Sequence, residues 1–316
     1  MTARAGVLTR NRMVASYLIV LALIAILLVT GGALSDRFLT VRNFSNLFQQ
    51  MVVLGMVSMG QTFVILLGGI DLSVGVLVSF VTVFLANFLE WRPDLIAVAL
   101  VAALAASTAL GALNGVITVV LRVHPLIVTL GMSSVVFGAT LMYRKEPGGL
   151  VPPVVQELAY GGVGSVPFAA IALVAIYLIA GLWLQRTGSG RNIYFVGSSH
   201  ESARLNGLPV TRVTILVYAL SGFCAGIAGV FLAAKTGVGD PYIGSALTLQ
   251  SITPVVVGGT ILAGGRGGIF GTFLGVILVS MLNNLLNFSG VSSYYQWVIQ
   301  GLIIIVAVGL RKPKRG

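Results

Sequence analysis

Charged residues divide this chain into nine long uncharged runs, each with room for a helix that crosses a membrane. The runs are 13–35, 43–70, 72–89, 95–121, 123–143, 158–185, 213–234, 241–265 and 267–310. A helix crosses the hydrocarbon core of a bilayer with about 20 apolar residues at 1.5 Å per residue. The pattern therefore predicts an all-α, polytopic transmembrane helical bundle.

Composition supports membrane lipid as the main solvent. The 316 residues are 57% hydrophobic and only 9% charged, with a mean hydropathy of +1.02. Soluble domains carry about 25% charged residues, so this chain lacks the polar surface that water requires. The run 13–35 is longer than the apolar part of a cleaved signal, about 7–15 residues, and is predicted to be a retained first span.

The number of spans follows from the last run, 267–310, which would be about 66 Å long as a single helix. It is predicted to fold back at 287–293, giving about ten spans with both termini on one side. With the termini in the cytoplasm, 13 Lys and Arg lie inside and 6 outside, as the positive-inside rule requires. The sequence thus predicts a multi-pass membrane protein with both termini in the cytoplasm.

The chain is predicted to be a single transmembrane domain, 1–316, with a cytoplasmic loop at 186–212. Asn114 lies eleven residues before Pro125, and Asn283 lies eleven residues before Tyr294. This recurring spacing suggests an inverted repeat of spans 2–5 and 7–10, an arrangement common in transporters.

No reaction chemistry is predicted. A P-loop needs Gly-Lys followed by Ser or Thr, and none of the four lysines follows a glycine. Neither a Ser/His/Asp arrangement nor a metal-ligand cluster is apparent, and Cys224 is the only cysteine. The net charge of +11 belongs to short loops and termini, so we expect no nucleic acid partner, no catalytic residue, no metal and no bound cofactor.

One break in the apolar pattern has two interpretations. Gly68 and Gly69 interrupt a helix before Asp71 and Ser73, either of which can cap the next helix. The segment is then either a short capped turn or a discontinuous helix beside a translocation path. A second glycine-rich break, at 258–268, favours the transporter interpretation.

Amide side chains inside the predicted spans also have two interpretations. Gln61, Asn114, Asn283, Asn284 and Gln296 are costly in hydrocarbon unless they are paired. They serve either as hydrogen-bonding links between helices or as contacts for a substrate. A neutral, hydroxyl-rich substrate would suit such groups.

The cytoplasmic loop contains a predicted short helix. Ser198 or Ser199 is expected to cap it, with Glu201 as capping-box partner and Gly207 as its stop. This helix is either a lever for a partner protein or a solvated surface helix.

Six blocks in order resemble the ribose-type family of ABC importer permeases. They are FVILLGGIDLSVG at 63–75, VHPLIVTLG at 123–131, GRNIYFVGSSHESARLNGL at 190–208, YALSGFCAGIAG at 218–229, VVVGGTILAGGRGGIFGT at 255–272 and LNNLLNFSGVSSYYQ at 282–296. The resemblance covers nearly the whole chain.

The resemblance implies a multi-pass protein of a bacterial inner (plasma) membrane that imports a pentose, hexose or related polyol. It implies a periplasmic sugar-binding protein, a second permease copy (identical or similar), and a cytoplasmic ATPase of two fused modules that holds ATP and magnesium. It also implies that the ATPase docks on Arg191, Asn192, Gly197, Glu201, Ala203, Arg204, Leu205 and Gly207. This loop departs mildly from the family pattern at Ser199-His200, and we assign no role to His124.

Together with the resemblance, the breaks and amides give a set of candidates for the path and its gates. These are Gly68, Gly69, Asp71, Ser73, Asn114, Pro125, Thr129, Asn283, Asn284 and Gln296.

Other functions remain as alternatives. A related permease could carry a branched-chain amino acid or a nucleoside, although the GGIDLSVG block favours sugar. An ion-coupled carrier would depend on Asp71, the one acid within the apolar pattern. A membrane scaffold would transport nothing.

Overall fold

The computed structural model describes residues 2–164 and 166–309, with side chains from Tyr17 onward apart from 165, 304 and 306–308. The first part contains α1 (Thr2–Leu34), α2 (Val41–Leu66), α3 (Val74–Trp91), α4 (Ile96–Leu121), α5 (Pro125–Tyr143) and α6 (Pro153–Tyr160). A hairpin follows, β1 (Gly162–Val163) and β2 (Val166–Pro167). The remainder contains α7 (Phe168–Arg186), α8 (Gly188–Ser198), α9 (His200–Leu205), α10 (Val210–Thr236), α11 (Leu247–Gln250), α12 (Ile252–Val257), α13 (Ile269–Phe288) and α14 (Ser293–Gly309).

The all-α transmembrane prediction is confirmed. Within the described residues, eight helices are long and apolar enough to cross a bilayer: α1 to α5, α7, α10 and α13. The fold-back predicted at 287–293 falls between α13 and α14. The total of ten spans, the side of each terminus and the inverted repeat stay predictions, and the basic tail at 311–315 lies outside the described residues.

The run 241–265 was predicted to form one long spanning helix, and this is wrong. Only α11 and α12 form within it, and together they cover Leu247–Val257, about 16 Å. Pro254 lacks the backbone donor that a preceding turn needs, and Gly258-Gly259 ends the segment, with Gly259 at φ +103°. The remainder of the run is turns and extended chain.

The core is built around α10, which packs on α4, α2 and α3. Its approach to α4 is close: a Cβ on Gly111 would lie 2.9 Å from the Cα of Gly222. Helix α2 is buried on nearly all sides, and every residue from Met51 to Leu66 is buried. By contrast, α1, α4, α5 and α7 expose many apolar side chains, as expected for faces that contact lipid.

The segment between α5 and α7 is ordered over its described residues, 144–164 and 166–167. It contains α6 and the hairpin, and Gly148 pairs with Gly239 in an isolated β-bridge. Arg144 donates to Glu90 across this surface at 3.2 Å. These contacts join the segment to the ends of α3 and α10.

Candidate functional site

The first glycine break forms a segment that returns into the bundle. Helix α2 ends at Leu66 and α3 starts only at Val74. Between them, Asp71 and Ser73 are fully buried, with 0% exposure. Asp71 and Ser73 therefore lie inside the protein, whereas Gly68 is exposed and Ile70 and Leu72 are half-buried.

Asp71 is the centre of a hydrogen-bond network in this segment. The Ser73 backbone N–H donates to Asp71 Oδ1 at 2.9 Å, and the Ser73 hydroxyl donates to the same oxygen at 2.6 Å. The Ser221 hydroxyl of α10 donates to Asp71 Oδ2 at 2.8 Å. Among the described residues, the carboxylate has no ion-pair partner, so hydroxyl and backbone donors stabilise it.

The predicted capping by Ser73 is wrong in detail. Ser73 occupies the N-cap position of α3, but its side chain makes no cap hydrogen bond. Its hydroxyl instead donates a hydrogen bond to Asp71 and accepts one from Asn114 Nδ2 at 2.9 Å. The segment is thus a linked polar cluster and differs from a simple capped turn.

The depth of this cluster follows from helix lengths. Asn114 lies seven residues before the end of α4, about 10 Å along its axis. Ser221 lies eleven residues after the start of α10, about 16 Å along that helix. This depth favours the discontinuous-helix interpretation of the break.

Further path candidates join the same cluster. Thr129 donates to the Ile70 carbonyl at 3.2 Å. Pro125 lies beside Gly69, where a Cβ would be 3.5 Å from the proline Cβ. The structure therefore brings together Gly69, Asp71, Ser73, Asn114, Pro125 and Thr129.

Three predicted path residues lie elsewhere, in an amide cluster between α2, α13 and α14. Asn284 and Asn43 exchange two amide hydrogen bonds, each 3.0 Å. Gln296 donates to Asn287 at 2.7 Å, and Gln300 donates to Asn283 at 3.0 Å. These amides act as links between helices, and the first interpretation of the sequence fits them best.

The loop 186–212, which the sequence predicts to be cytoplasmic, contains two helices where the sequence predicted one. Ser199 caps α9 by accepting from the Ser202 N–H at 3.1 Å. With Ser199 as cap, the third helical position is Ser202, so the prediction of Glu201 as capping-box partner is wrong. Gly207 ends the turn after α9 with φ +75°, as predicted.

The C-terminal end of α8 meets both glycine breaks, and we call this contact the glycine junction: Leu66–Gly68, Gly197–Ser198 and Gly264–Gly265. A Cβ on Gly197 would overlap the Leu66 carbonyl oxygen. The Gly265 N–H donates to that same oxygen at 2.8 Å. The loop helix therefore touches the end of α2 and the segment after α12 at one point.

A second contact ties α8 to the second break. The Tyr194 hydroxyl donates to the Gly267 carbonyl at 3.1 Å. Both Tyr194 and Gly197 belong to α8, one turn apart. A movement of α8 would therefore displace residues 264–267 through two separate contacts.

The outer face of the loop differs from its inner face. Glu201, Arg204 and Gly207 are exposed, and Leu205 is 82% exposed, whereas Ala203 and Gly197 are buried. Partial burial, and then the nearby Arg204 charge, lower the pKa of His200. The outer face of the loop thus presents the apolar Leu205 side chain together with the charged residues Glu201 and Arg204.

Sequence reasoning missed several partners in these sites. Ser221, Asn43 and Gln300 sit in apolar helices, and each is a small or neutral polar residue whose partner is far away in sequence. Leu66 contributes through its backbone carbonyl, which leaves no signal in a sequence. The only sequence signal for Ser221, Asn43 and Gln300 is that each is a polar residue within an apolar run.

Comparisons with known proteins agree with this architecture. Residues 43–308 match a family model described as branched-chain amino acid transport system / permease component. The chain is 38% identical over 307 residues to the ribose import permease protein RbsC of Escherichia coli K12, covering 95% of this chain and 94% of that protein. It is 35% identical over 294 residues to RbsC of Bacillus subtilis, covering 92% and 90%.

A third relative is the D-allose transport system permease protein AlsC of Escherichia coli K12. It is 34% identical over 291 residues, with 91% of this chain and 89% of that protein covered. No solved structure matches the chain. The family match spans most of the described helices and the glycine junction, so this multi-pass membrane protein belongs to the branched-chain amino acid transport system / permease component family.

Proposed function

We propose that this chain is the permease subunit of an ATP-driven importer and carries a monosaccharide across the inner membrane. Its relatives are named for ribose and allose import, and another, from Rhizobium meliloti, is named a fructose import permease protein. The substrate class is therefore a pentose, a hexose or a related polyol. Buried amides and hydroxyls suit such a solute because it needs hydrogen bonds and no counter-charge.

The energy source in this proposal is a separate cytoplasmic ATPase of two fused modules, which holds ATP and magnesium. It docks on the loop 186–212, and the exposed Leu205 supplies an apolar anchor. The remaining docking residues are Arg191, Asn192, Gly197, Glu201, Ala203, Arg204 and Gly207. Of these, buried Gly197 and Ala203 act by holding the two helices against the bundle.

The observation that carries the proposal is the glycine junction. When the ATPase modules close, α8 moves with them, and the junction transmits that movement to α2 and to the segment after α12. The cycle is a population shift between conformations open to either side. Gly68, Gly69 and the Asp71 cluster lie directly behind the junction and are the proposed gate.

Two further partners complete the proposal. A periplasmic sugar-binding protein delivers the substrate to the external face, and a second permease copy, identical or similar, forms the other half of the path. The predicted repeat of spans 2–5 and 7–10 is compatible with this plan. Specificity would rest largely with the binding protein.

Uptake into proteoliposomes tests the proposal. The permease is reconstituted with its ATPase, ATP is enclosed on the ATPase side, and binding protein loaded with labelled D-ribose, D-allose or D-fructose is added outside. We expect uptake of at least one sugar that needs ATP and the binding protein and resists an uncoupler. Uptake that collapses with the uncoupler while ATP remains would favour the ion-coupled alternative.

A further inference from the structure

Several polar side chains inside the bundle have no hydrogen-bonding partner among the described residues, and three of them belong to α2 and α12. Both amide atoms of Gln61 are unpartnered, as are the hydroxyls of Ser58 and Thr253. All three residues are 0% exposed. This differs from Asn43 and Asn284, which satisfy each other at the other end of α2.

Contacts of α12 place these groups in one region. Ile65 packs with Ile252, Val255 and Val256 of α12. Gln61 precedes Ile65 by four residues and therefore lies on the same face of α2, one turn away. Ser58 precedes Gln61 by three residues on that face, and Thr253 belongs to α12 itself.

Helix α12, which contacts this face of α2 at Ile65, is short and bounded by breaks. Helices α11 and α12 are separated at Ser251, and Gly258-Gly259 follows α12. After this break, the Gly265 N–H donates a hydrogen bond to the Leu66 carbonyl within the glycine junction. A displacement of α8 that pulls on Gly265 thus has a direct route to α12.

A buried polar group without a partner raises the free energy of the conformation that buries it. An apolar side chain at position 61 would be lower in energy in the conformation seen here. The carboxamide therefore favours any conformation in which it meets a polar partner. Asn43–Leu66 and Leu247–Val257 contain no charged residue, and these surroundings favour a neutral partner.

We propose that Gln61, together with Ser58 and Thr253, is a substrate-contacting site for a neutral, hydroxyl-rich solute, covered by α12 here and uncovered when α12 moves. The carboxamide donates and accepts hydrogen bonds, and so do the two hydroxyls, which matches the groups of a sugar. This inference rests on the proposed function and assigns the sugar contact to a place that the Asp71 cluster does not include.

The test uses Gln61→Met, which keeps the length of the side chain and removes its polarity. Thermal unfolding of the reconstituted permease–ATPase complex and uptake of the sugar that wild type transports are measured together. We expect unfolding at the wild-type temperature or higher, and uptake reduced at least tenfold or relative rates for D-ribose, D-allose and D-fructose altered. Thr118→Val is the matched control, since it also removes a buried, unpartnered hydroxyl, but on α4; its uptake should stay at the wild-type level.

Each other outcome is decisive. Wild-type uptake rates and sugar preference in Gln61→Met would overturn the site while leaving the proposed function intact. A lower unfolding temperature would show that the native protein satisfies the amide, which contradicts the premise. Failure of wild type itself to take up any sugar would instead defeat the proposed function.

Discussion

The backbone N–H of Gly265 donates to the carbonyl oxygen of Leu66 at 2.8 Å. This bond joins two glycine breaks that are almost two hundred residues apart in sequence. The end of α8 packs on the same carbonyl through Gly197. Helix α8, the end of α2 and the segment after α12 therefore meet at one contact.

Gly197→Ala tests this contact. The added methyl would overlap the Leu66 carbonyl, so α8 must shift at a cost of about 1–3 kcal/mol, the usual range for overpacking. We expect the ATPase to stay bound, while stimulation of ATP hydrolysis by sugar-loaded binding protein falls toward the basal rate. Gly188→Ala is the control, because nothing lies within 4 Å of its added methyl. Normal stimulation in Gly197→Ala would show that the junction transmits nothing.

The exposed Leu205 predicts an anchor for the ATPase. Leu205→Asp should weaken the complex by about 2 kcal/mol, the scale of an interface hot spot, or roughly thirtyfold in Kd. Copurification of the ATPase with tagged permease measures the loss. Val163→Asp, at an exposed apolar residue of the hairpin, should have no effect. Undiminished copurification of the Leu205 variant would remove this residue from the docking surface.

The Asp71 cluster predicts a contrast between two variants. Asp71→Ala strands the donors of Ser73 and Ser221, and each buried donor without a partner costs about 1–3 kcal/mol. Asp71→Asn keeps an acceptor and should recover most of the thermal stability. Its sugar uptake should remain driven by ATP and insensitive to an uncoupler. Loss of transport in Asp71→Asn with normal stability and ATPase binding would support ion coupling.

The reciprocal amide pair predicts strong non-additivity. Asn43→Ala and Asn284→Ala should each destabilise the protein by about 1–2 kcal/mol. Asn43→Ala leaves the Asn284 amide buried without its partner, and Asn284→Ala leaves the Asn43 amide with only the Phe38 carbonyl. The double variant should lose less free energy of unfolding than the sum of the two single losses, and the difference should be about 0.5–3 kcal/mol. Additive losses in a thermal-unfolding cycle would mean that the two amides act independently.

Sequence patterns predicted most of the helices because apolar length and charge placement leave few alternatives in lipid. They failed at α11 and α12, where Pro254 and Gly258 break an apolar run without adding any charge. They also identified Asp71, Ser73 and Asn114 singly, since polar residues in apolar helices stand out.

The partners of those residues could not be predicted in the same way. Ser221 lies 150 residues from Asp71, and only the packing of α10 against α3 brings them together. The Leu66 carbonyl is a backbone atom and carries no residue signature. Asn283, Asn284 and Gln296 looked equivalent to Asn114 in sequence, and tertiary packing alone separates the two clusters.

Sidedness labelling tests the central claim most directly. Cys224 is buried, so a variant with Leu205→Cys presents one reactive thiol at an 82% exposed position, and Val163→Cys presents one on the hairpin. A membrane-impermeant maleimide should label the Leu205→Cys protein only in inside-out vesicles and the Val163→Cys protein only from outside intact spheroplasts. Labelling of the Leu205→Cys protein from outside would place the loop away from any cytoplasmic ATPase and contradict the account.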